Sequence, residues 1–278
     1  HDSNLENGAG DNSYRYAGAN PNNYVCFSSD EATCPHENLY RIIGLIDGKI
    51  KLISADVATT DMLGTDGGYY NTTSGAGWNS SHYKESGDFT KIGLYKWNST
   101  STNTWSTSLF NKINLNTNYL NNIGTTWSNL IEDATWKVSG HSTDFVTPSE
   151  MYTAEITNAT KTYGPSNGTS KIGLMYLSDY GFAASPSAWT TTLFNYDDND
   201  ANGTSITTIN WMYMGNYDWT ISPYSSSSNY LFPLNSRGNV IYGYANDPYV
   251  SRPVLYLKAS VLYDGGSGTK DSPITLEV

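Results

Sequence analysis

The strongest constraint in the sequence is one dipeptide, Asp47-Gly48, set between Leu39-Tyr40-Arg41-Ile42-Ile43-Gly44-Leu45-Ile46 and Lys49-Ile50-Lys51-Leu52-Ile53. A two-residue hairpin turn of the favoured hand needs positive φ at both central residues, and Asp-Gly supplies them at little cost between two apolar, β-branched runs. The segment predicts an antiparallel hairpin. Other short β-type runs lie at 171–177, 211–214, 218–222, 239–242 and 253–257, each bounded by turn formers. Helix signals are confined to the middle. Ser106 precedes Leu109 and Phe110; Trp127, Leu130 and Ile131 fall at i, i+3, i+4; and Thr147 stands as a cap before Pro148-Ser149-Glu150-Met151-Tyr152. Strands toward both ends around a few central helices make an α+β pattern, in which mixed or antiparallel sheets bury one face against two or three short helices, with long loops between.

Residues 1–23, rich in Asn, Gly and Ser, read as a flexible lead-in, and 24–278 as a single domain. Residues 56–97, divided by Gly64, Gly67, Gly68, Gly75 and Gly77, read as a long decorated loop. A weak internal echo links Lys91-Ile92-Gly93-Leu94 with Lys171-Ile172-Gly173-Leu174, about 80 residues later. Each is followed by a Trp and a Leu-Phe-Asn, at 105 and 109–111 in the first copy and 189 and 193–195 in the second.

The chain is polar without being charged. Asn, Ser and Thr number 29, 33 and 31 of 278 residues, whereas Asp, Glu, Lys and Arg together make only 15%. That composition excludes charge-driven disorder and a long helical bundle. The net charge of −11 and the lack of a basic patch argue against nucleic acid as partner. No run approaches the roughly 18 apolar residues of a membrane span, so no membrane insertion by this segment is expected. The start at His1 suggests that a leader or anchor has been removed. Cys26 and Cys34 suit a disulfide pinning a short loop, with free thiols or a metal hook involving His36 as alternatives; a disulfide on this polar surface fits an extracellular or cell-surface location.

Material for catalysis is poor. His36, His82 and His141 sit in polar loop-like sequence with no Gly-x-Ser-x-Gly elbow. Glu150, Glu155, Asp144, Asp179 and Asp218 are the carboxylates nearest apolar segments, but nothing in the sequence pairs two of them across a sugar, and capping or solvated-surface roles are expected. Gly265-Gly266-Ser267-Gly268-Thr269-Lys270 lacks the phosphate-loop spacing and reads as a turn between the last strands. One metal signal stands out: Asp198, Asp200 and Asn202 followed by Gly203 form the front half of a calcium loop, but Ile209 occupies the place of the closing bidentate Glu, so Ca²⁺ there would need distant ligands.

Recognition chemistry is concentrated in 211–257. Tyr213, Asn216, Tyr217, Asp218, Tyr224, Ser226, Ser228, Asn229, Tyr230, Phe232, Asn235, Tyr242, Tyr244, Asn246 and Tyr249 alternate with framework residues Trp219, Ile221, Pro253, Val254 and Leu255. Tyr offers amphipathic contact area at little rotamer cost, and Ser and Asn offer adaptable hydrogen bonds. The alternative is aromatic stacking inside a loop-rich fold.

The frame Asp218-Trp219-Thr220-Ile221-Ser222, the irregular Tyr/Ser/Asn positions after it, and Ser251-Arg252-Pro253-Val254-Leu255-Tyr256-Leu257 together resemble the variable C-type lectin-like domains diversified by retroelements in bacteria and phages. Residues 40–49, 120–122 and 172–181 are similar to pilin-like surface proteins of gut bacteria. The resemblance implies a C-type lectin-like fold with adjacent N- and C-terminal strands, and a ligand face, hypervariable in that family, on the loops before the last strands. It implies recognition or adhesion toward a protein or glycan on a host, bacterial or phage surface. Oxidases that share the broad fold need a late cysteine pair, which this chain lacks, so no enzyme activity is expected. The other readings are a structural pilus or adhesin subunit and a carbohydrate-acting hydrolase.

Overall fold

The computed structural model describes residues 4–72, 83–84, 89–158, 166–197 and 205–278. The Asp47-Gly48 hairpin is its centre. Asp47 and Gly48 have φ of 50° and 74°, as the turn requires, and Leu39–Ile46 pairs antiparallel with Lys49–Ser54. Val254–Tyr256 adds to the far side of Lys49–Ser54, and Ile172–Gly173 adds to Val254–Tyr256. On the other edge, Tyr24–Cys26 and Tyr14–Tyr16 pair with successive parts of Leu39–Ile46, and Leu5–Glu6 extends Tyr14–Tyr16. The result is a seven-stranded antiparallel sheet. The α+β class holds.

Within 4–23, where the sequence suggested a flexible lead-in, Leu5–Glu6 and Tyr14–Tyr16 are thus strands of the sheet. Gly44 permits this: a Cβ there would stand 2.1 Å from the Tyr14 carbonyl oxygen. Arg15, opposite Gly44, is 3% exposed. The described part of 56–97 also holds more than a loop. Thr59 caps a short helix, Thr60–Leu63, and Tyr69–Thr72 and Gly93–Lys96 form a second antiparallel sheet that recruits Pro248–Tyr249.

Expected helices are found with shifted bounds. A π-helical turn, Phe110–Asn118, runs into Tyr119–Ser128, so Leu130 and Ile131 lie beyond the helix end. Pro148–Tyr152 is helical, with Thr147 and Glu150 forming a reciprocal capping box. Leu177–Ala183 is a helix that periodicity could not reveal, because every one of its residues is buried. The runs at 211–214, 218–222 and 239–242 form no strands; Asp218, Leu234 and Val240 make single bridges instead. The run at 253–257 does supply a strand, and 265–270 lies between the last two, Tyr263–Gly265 and Thr275–Leu276.

Cys26 and Cys34 are joined by a disulfide. Val25 bridges Ile274 in parallel, which brings the end of the chain beside an early strand. The core is strongly aromatic: Trp97, Trp105, Trp136 and Trp219 are fully buried. Two of these indoles tie the late loops to the second sheet, Trp97 Nε1 donating to Thr220 O at 3.1 Å and Trp219 Nε1 to Tyr95 O at 2.7 Å. Among the described residues no helix is long and apolar enough to cross a membrane.

Candidate functional site

The late segment splits into an inner and an outer set. Tyr230–Leu231 pairs antiparallel with Gly243–Tyr244, and the pleat turns Leu231 into the core and Tyr230 outward beside Tyr244, ring centroids 4.5 Å apart. The turn leading into this pair is held from below by Asn103. Its Nδ2 donates to Ser227 O at 2.7 Å and Tyr230 O at 2.9 Å, and its backbone N–H to Ser228 O at 2.7 Å. Ser226, Ser228 and Asn246 are exposed, and Asn229 is half-buried, its carbonyl accepting from the Ala245 N–H.

Tyr224 links the outer rings. It meets Tyr230, Phe232 and Tyr242 edge to face, with centroids 6.4, 5.7 and 5.0 Å away. The Tyr242 hydroxyl donates to Asp144 Oδ1 at 2.8 Å, and burial together with this bond raises the pKa of the phenol. Asp144 accepts the Phe194 N–H on its carbonyl, and Phe194 stacks on Phe145 at 4.2 Å. The outcome is a row of aromatic side chains, Tyr244, Tyr230, Tyr224 and Tyr242, continued through Asp144 to Phe145 and Phe194. Four of these remain substantially open: Phe145 58%, Tyr244 45%, Tyr242 43% and Phe194 39% exposed.

The row stands on a well-fixed base. Ser225 N–H donates to His141 O, Leu193 N–H to Val146 O and Val240 N–H to Leu193 O, joining the 141–146 loop, the 193–195 turn and the late loops. Gly140 lets the first of these approach, since a Cβ there would meet Pro223 O at 2.1 Å. Asp247 anchors the other end, accepting the Tyr244 N–H at 2.9 Å and the Tyr249 hydroxyl at 3.2 Å.

Several expected contact residues face inward. Phe232 is fully buried under Tyr224, and Tyr213 is buried with its hydroxyl on Ser236 O at 2.7 Å. Tyr249 packs between Tyr217 and Trp219, with Tyr217 half-buried. Asn216 is buried, and Asp218 is buried against Arg252, Nε to Oδ2 2.7 Å. Asn235 is half-buried and accepts the Arg237 N–H on its side chain, shaping a turn. These side chains build the scaffold, because composition distinguishes paratope-like from core tyrosines only once the loop path decides which side is wet. Trp219, Ile221, Val254 and Leu255 hold the frame as expected, each fully buried.

Phe145, Phe194 and Asp144 are the members that sequence reasoning missed as part of this face. The internal echo carried a signal: Phe110 of the first Leu-Phe-Asn is fully buried, whereas Phe194 of the second is exposed.

The candidate carboxylates are mostly interior. Glu150 and Asp179 cap helices, in line with the capping expectation, but Asp144, Glu155, Asp179 and Asp218 are at most 2% exposed, correcting the surface one. The calcium-loop residues Asp198, Asp200 and Asn202 lie outside the described residues; among the described residues no cluster of three or more His, Cys, Asp or Glu side chains is placed to hold a metal. No family model, curated protein or solved structure matches this chain.

Proposed function

We propose that this chain is a surface-displayed recognition protein of C-type lectin-like fold, which binds a protein or glycan partner through the aromatic row and performs no turnover. The observation that carries the reading is the row itself: rings contributed by separate stretches of chain, 141–146, 193–195 and 224–244, converge on one face and stay exposed. Aliphatic collapse would have drawn such rings inward, at roughly 25 cal/mol per Å² of apolar surface removed from water. Their exposure on a hydrogen-bonded base instead keeps that driving force for a partner. Ser226, Ser228 and Asn246 supply hydrogen-bonding groups beside the rings. The C-type lectin-like part of the reading is supported by the bridge between Val25 and Ile274, which sets early and late strands side by side, and by the position of the row on loops before the last strands. Diversification of the exposed positions by a retroelement belongs to the same proposal.

The test is binding of the purified chain to arrays of bacterial, phage and host surface glycans and proteins, compared with the double variant Phe145→Ser/Tyr244→Ser. Both side chains are largely open, so the variant should melt within a few degrees of the wild type while losing about tenfold or more in affinity. Undiminished binding by the folded variant sinks the assignment of this face.

A further inference from the structure

A second cluster lies buried beneath the hairpin. Lys51, on its second strand, and Asp179, in the first turn of the Leu177–Ala183 helix, are 1% and 2% exposed, with Nζ 2.5 Å from Oδ2. Three rings surround the amine: Tyr176, Tyr256 and Trp136, with centroids 4.4, 5.4 and 5.7 Å from Nζ. Asp179 Oδ2 also accepts the Tyr176 N–H at 3.0 Å, which fixes the carboxyl plane. The other oxygen, Oδ1, faces Arg15 Nε at 3.7 Å, beyond hydrogen-bond length. Arg15 is 3% exposed; its Nε and Nη1 make no hydrogen bond, Nη1 stands 3.9 Å from Asp11 Oδ1, and the guanidinium lies over the Tyr152 and Phe182 rings at 5.2 and 5.5 Å. Glu155, wholly buried and contributed by the segment 153–157, meets the start of the same helix, accepting the N–H groups of Leu177 and Ser178 at 2.9 and 3.2 Å and the Ser222 hydroxyl. Arg15, Lys51 and Asp179 border a cavity of about 90 Å³, room for a released water.

As a simple ion pair this arrangement is wasteful. Two buried charges are desolvated, and a third, Arg15, keeps two N–H donors without acceptors. As a reaction centre each part has a use. An amine held against a carboxyl in a buried, ring-lined site is a near-attack arrangement, and a guanidinium beside the second oxygen can stabilise negative charge there.

We propose that Lys51 and Asp179 condense into an intramolecular amide, tying the central hairpin covalently to the Leu177–Ala183 helix. The Nζ proton in contact with Oδ2 transfers to it, leaving a neutral amine and a neutral carboxyl. The Nζ lone pair forms the C–N bond to Cγ, and the carbonyl electron pair moves onto Oδ1, facing the Arg15 donors. When that pair returns, the Cγ–Oδ2 bond breaks and Oδ2 departs as water, taking a second proton from nitrogen. One ammonium and one carboxylate become one amide and one water, with no change in oxidation state and no net proton released. Burial supports the first proton step: it holds the Lys51 ammonium below its usual range, against the pull of Asp179.

Intact-mass spectrometry of the folded full chain decides the matter. With the disulfide allowed for, the wild type should lie about 18 Da, one water, below its sequence mass, and a tryptic digest should yield a branched peptide joining positions 51 and 179. Lys51→Arg should show the full mass. A folded wild type that retains its full mass after prolonged incubation at neutral pH, with trypsin cleaving after Lys51, overturns the proposal; so does the same mass deficit in Lys51→Arg. If that variant does not fold, the wild-type mass and peptide map decide alone.

Discussion

Asn114 accepts the Gly68 N–H on its Oδ1 and donates from Nδ2 to Leu63 O and Asp66 O, so one buried amide satisfies three backbone groups of the turn before strand Tyr69–Thr72. Asn103 does the same under the aromatic row, and Asn98 bonds the 100–107 turns from their inside. A chain with so many loops must place backbone polar groups in its interior, and short amides and hydroxyls pair them where secondary structure does not. Asn114→Ala should therefore lose about 2–4 kcal/mol in denaturant unfolding, several buried groups being left unpaired, whereas Asn121→Ala on the surface should stay within about 0.5 kcal/mol. Glu155 gives a second residue-scale prediction. Its carboxyl titrates at about 7 when folded, above the 4.5 of an ordinary Glu, chiefly because burial disfavours the charge. The fold thus prefers the protonated form; that preference is fully present below about 4.5 and is lost as pH rises through about 7. Glu155→Gln removes the titration, so its stability relative to wild type should improve steadily between those two pH values. A constant difference across the window would show that Glu155 stays ionised in the fold.

At the scale of elements, Gly44 and Gly48 separate two reasons for glycine in one hairpin. Gly48 has φ 74° with nothing within 4 Å of where a Cβ would stand, so Gly48→Ala should cost about 1 kcal/mol of backbone strain and leave the sheet intact. Gly44→Ala puts a Cβ onto the Tyr14 backbone and should release the Leu5–Glu6 and Tyr14–Tyr16 ribbon, seen as fast amide exchange there and early proteolysis near residue 20. The hairpin was legible because turn, flanks and pattern are all local. The ribbon was not: nothing in its Asn- and Gly-rich sequence announces a partner strand some 30 residues away. The Leu177–Ala183 helix escaped for the opposite reason, since burial on every side erases the polar face that periodicity needs. The aromatic face was half legible. Tyr230, Tyr242 and Tyr244 declare themselves by composition, but so do Tyr213 and Tyr249, which point inward, and Phe145 and Phe194 join only through tertiary contacts. The disulfide closes a short loop between strand Tyr24–Cys26 and the turn at His36–Asn38. Cys26→Ser/Cys34→Ser should cost about 2–3 kcal/mol on the chain-entropy model, measured as a lowered denaturant midpoint with unchanged slope.

For the whole molecule, the unusual quantity is phenol in the core. Tyr40, Tyr95, Tyr119, Tyr176, Tyr180, Tyr196 and Tyr256 all have pKa values raised above that of a free phenol, and for each the first cause is burial. Six of the hydroxyls are engaged: Tyr40 and Tyr119 bond each other, Tyr95 donates to Gly64 O, Tyr180 to Gly238 O and Tyr196 to Gly181 O, and Tyr176 accepts the Lys137 N–H. Six of the rings lie in one continuous core that links the main sheet to the late loops, and the half-buried Tyr256 packs against it. The linkage has a definite sign. Each raised phenol contributes stability that is present below its ordinary value of 10.0 and is withdrawn as pH climbs beyond it, because the unfolded chain then releases protons that the fold retains. Seven such groups acting together make the slope of stability against pH steep, about 1.4 kcal/mol per pH unit for each group that ionises on unfolding. The chain should therefore unfold cooperatively just above pH 10, with the rise of tyrosinate absorbance from buried rings coinciding with the loss of near-ultraviolet circular dichroism. An absorbance titration that reached full amplitude while the aromatic dichroism persisted would mean that water reaches these rings in the native state, and the packed aromatic core on which the outer row stands would have to be redrawn.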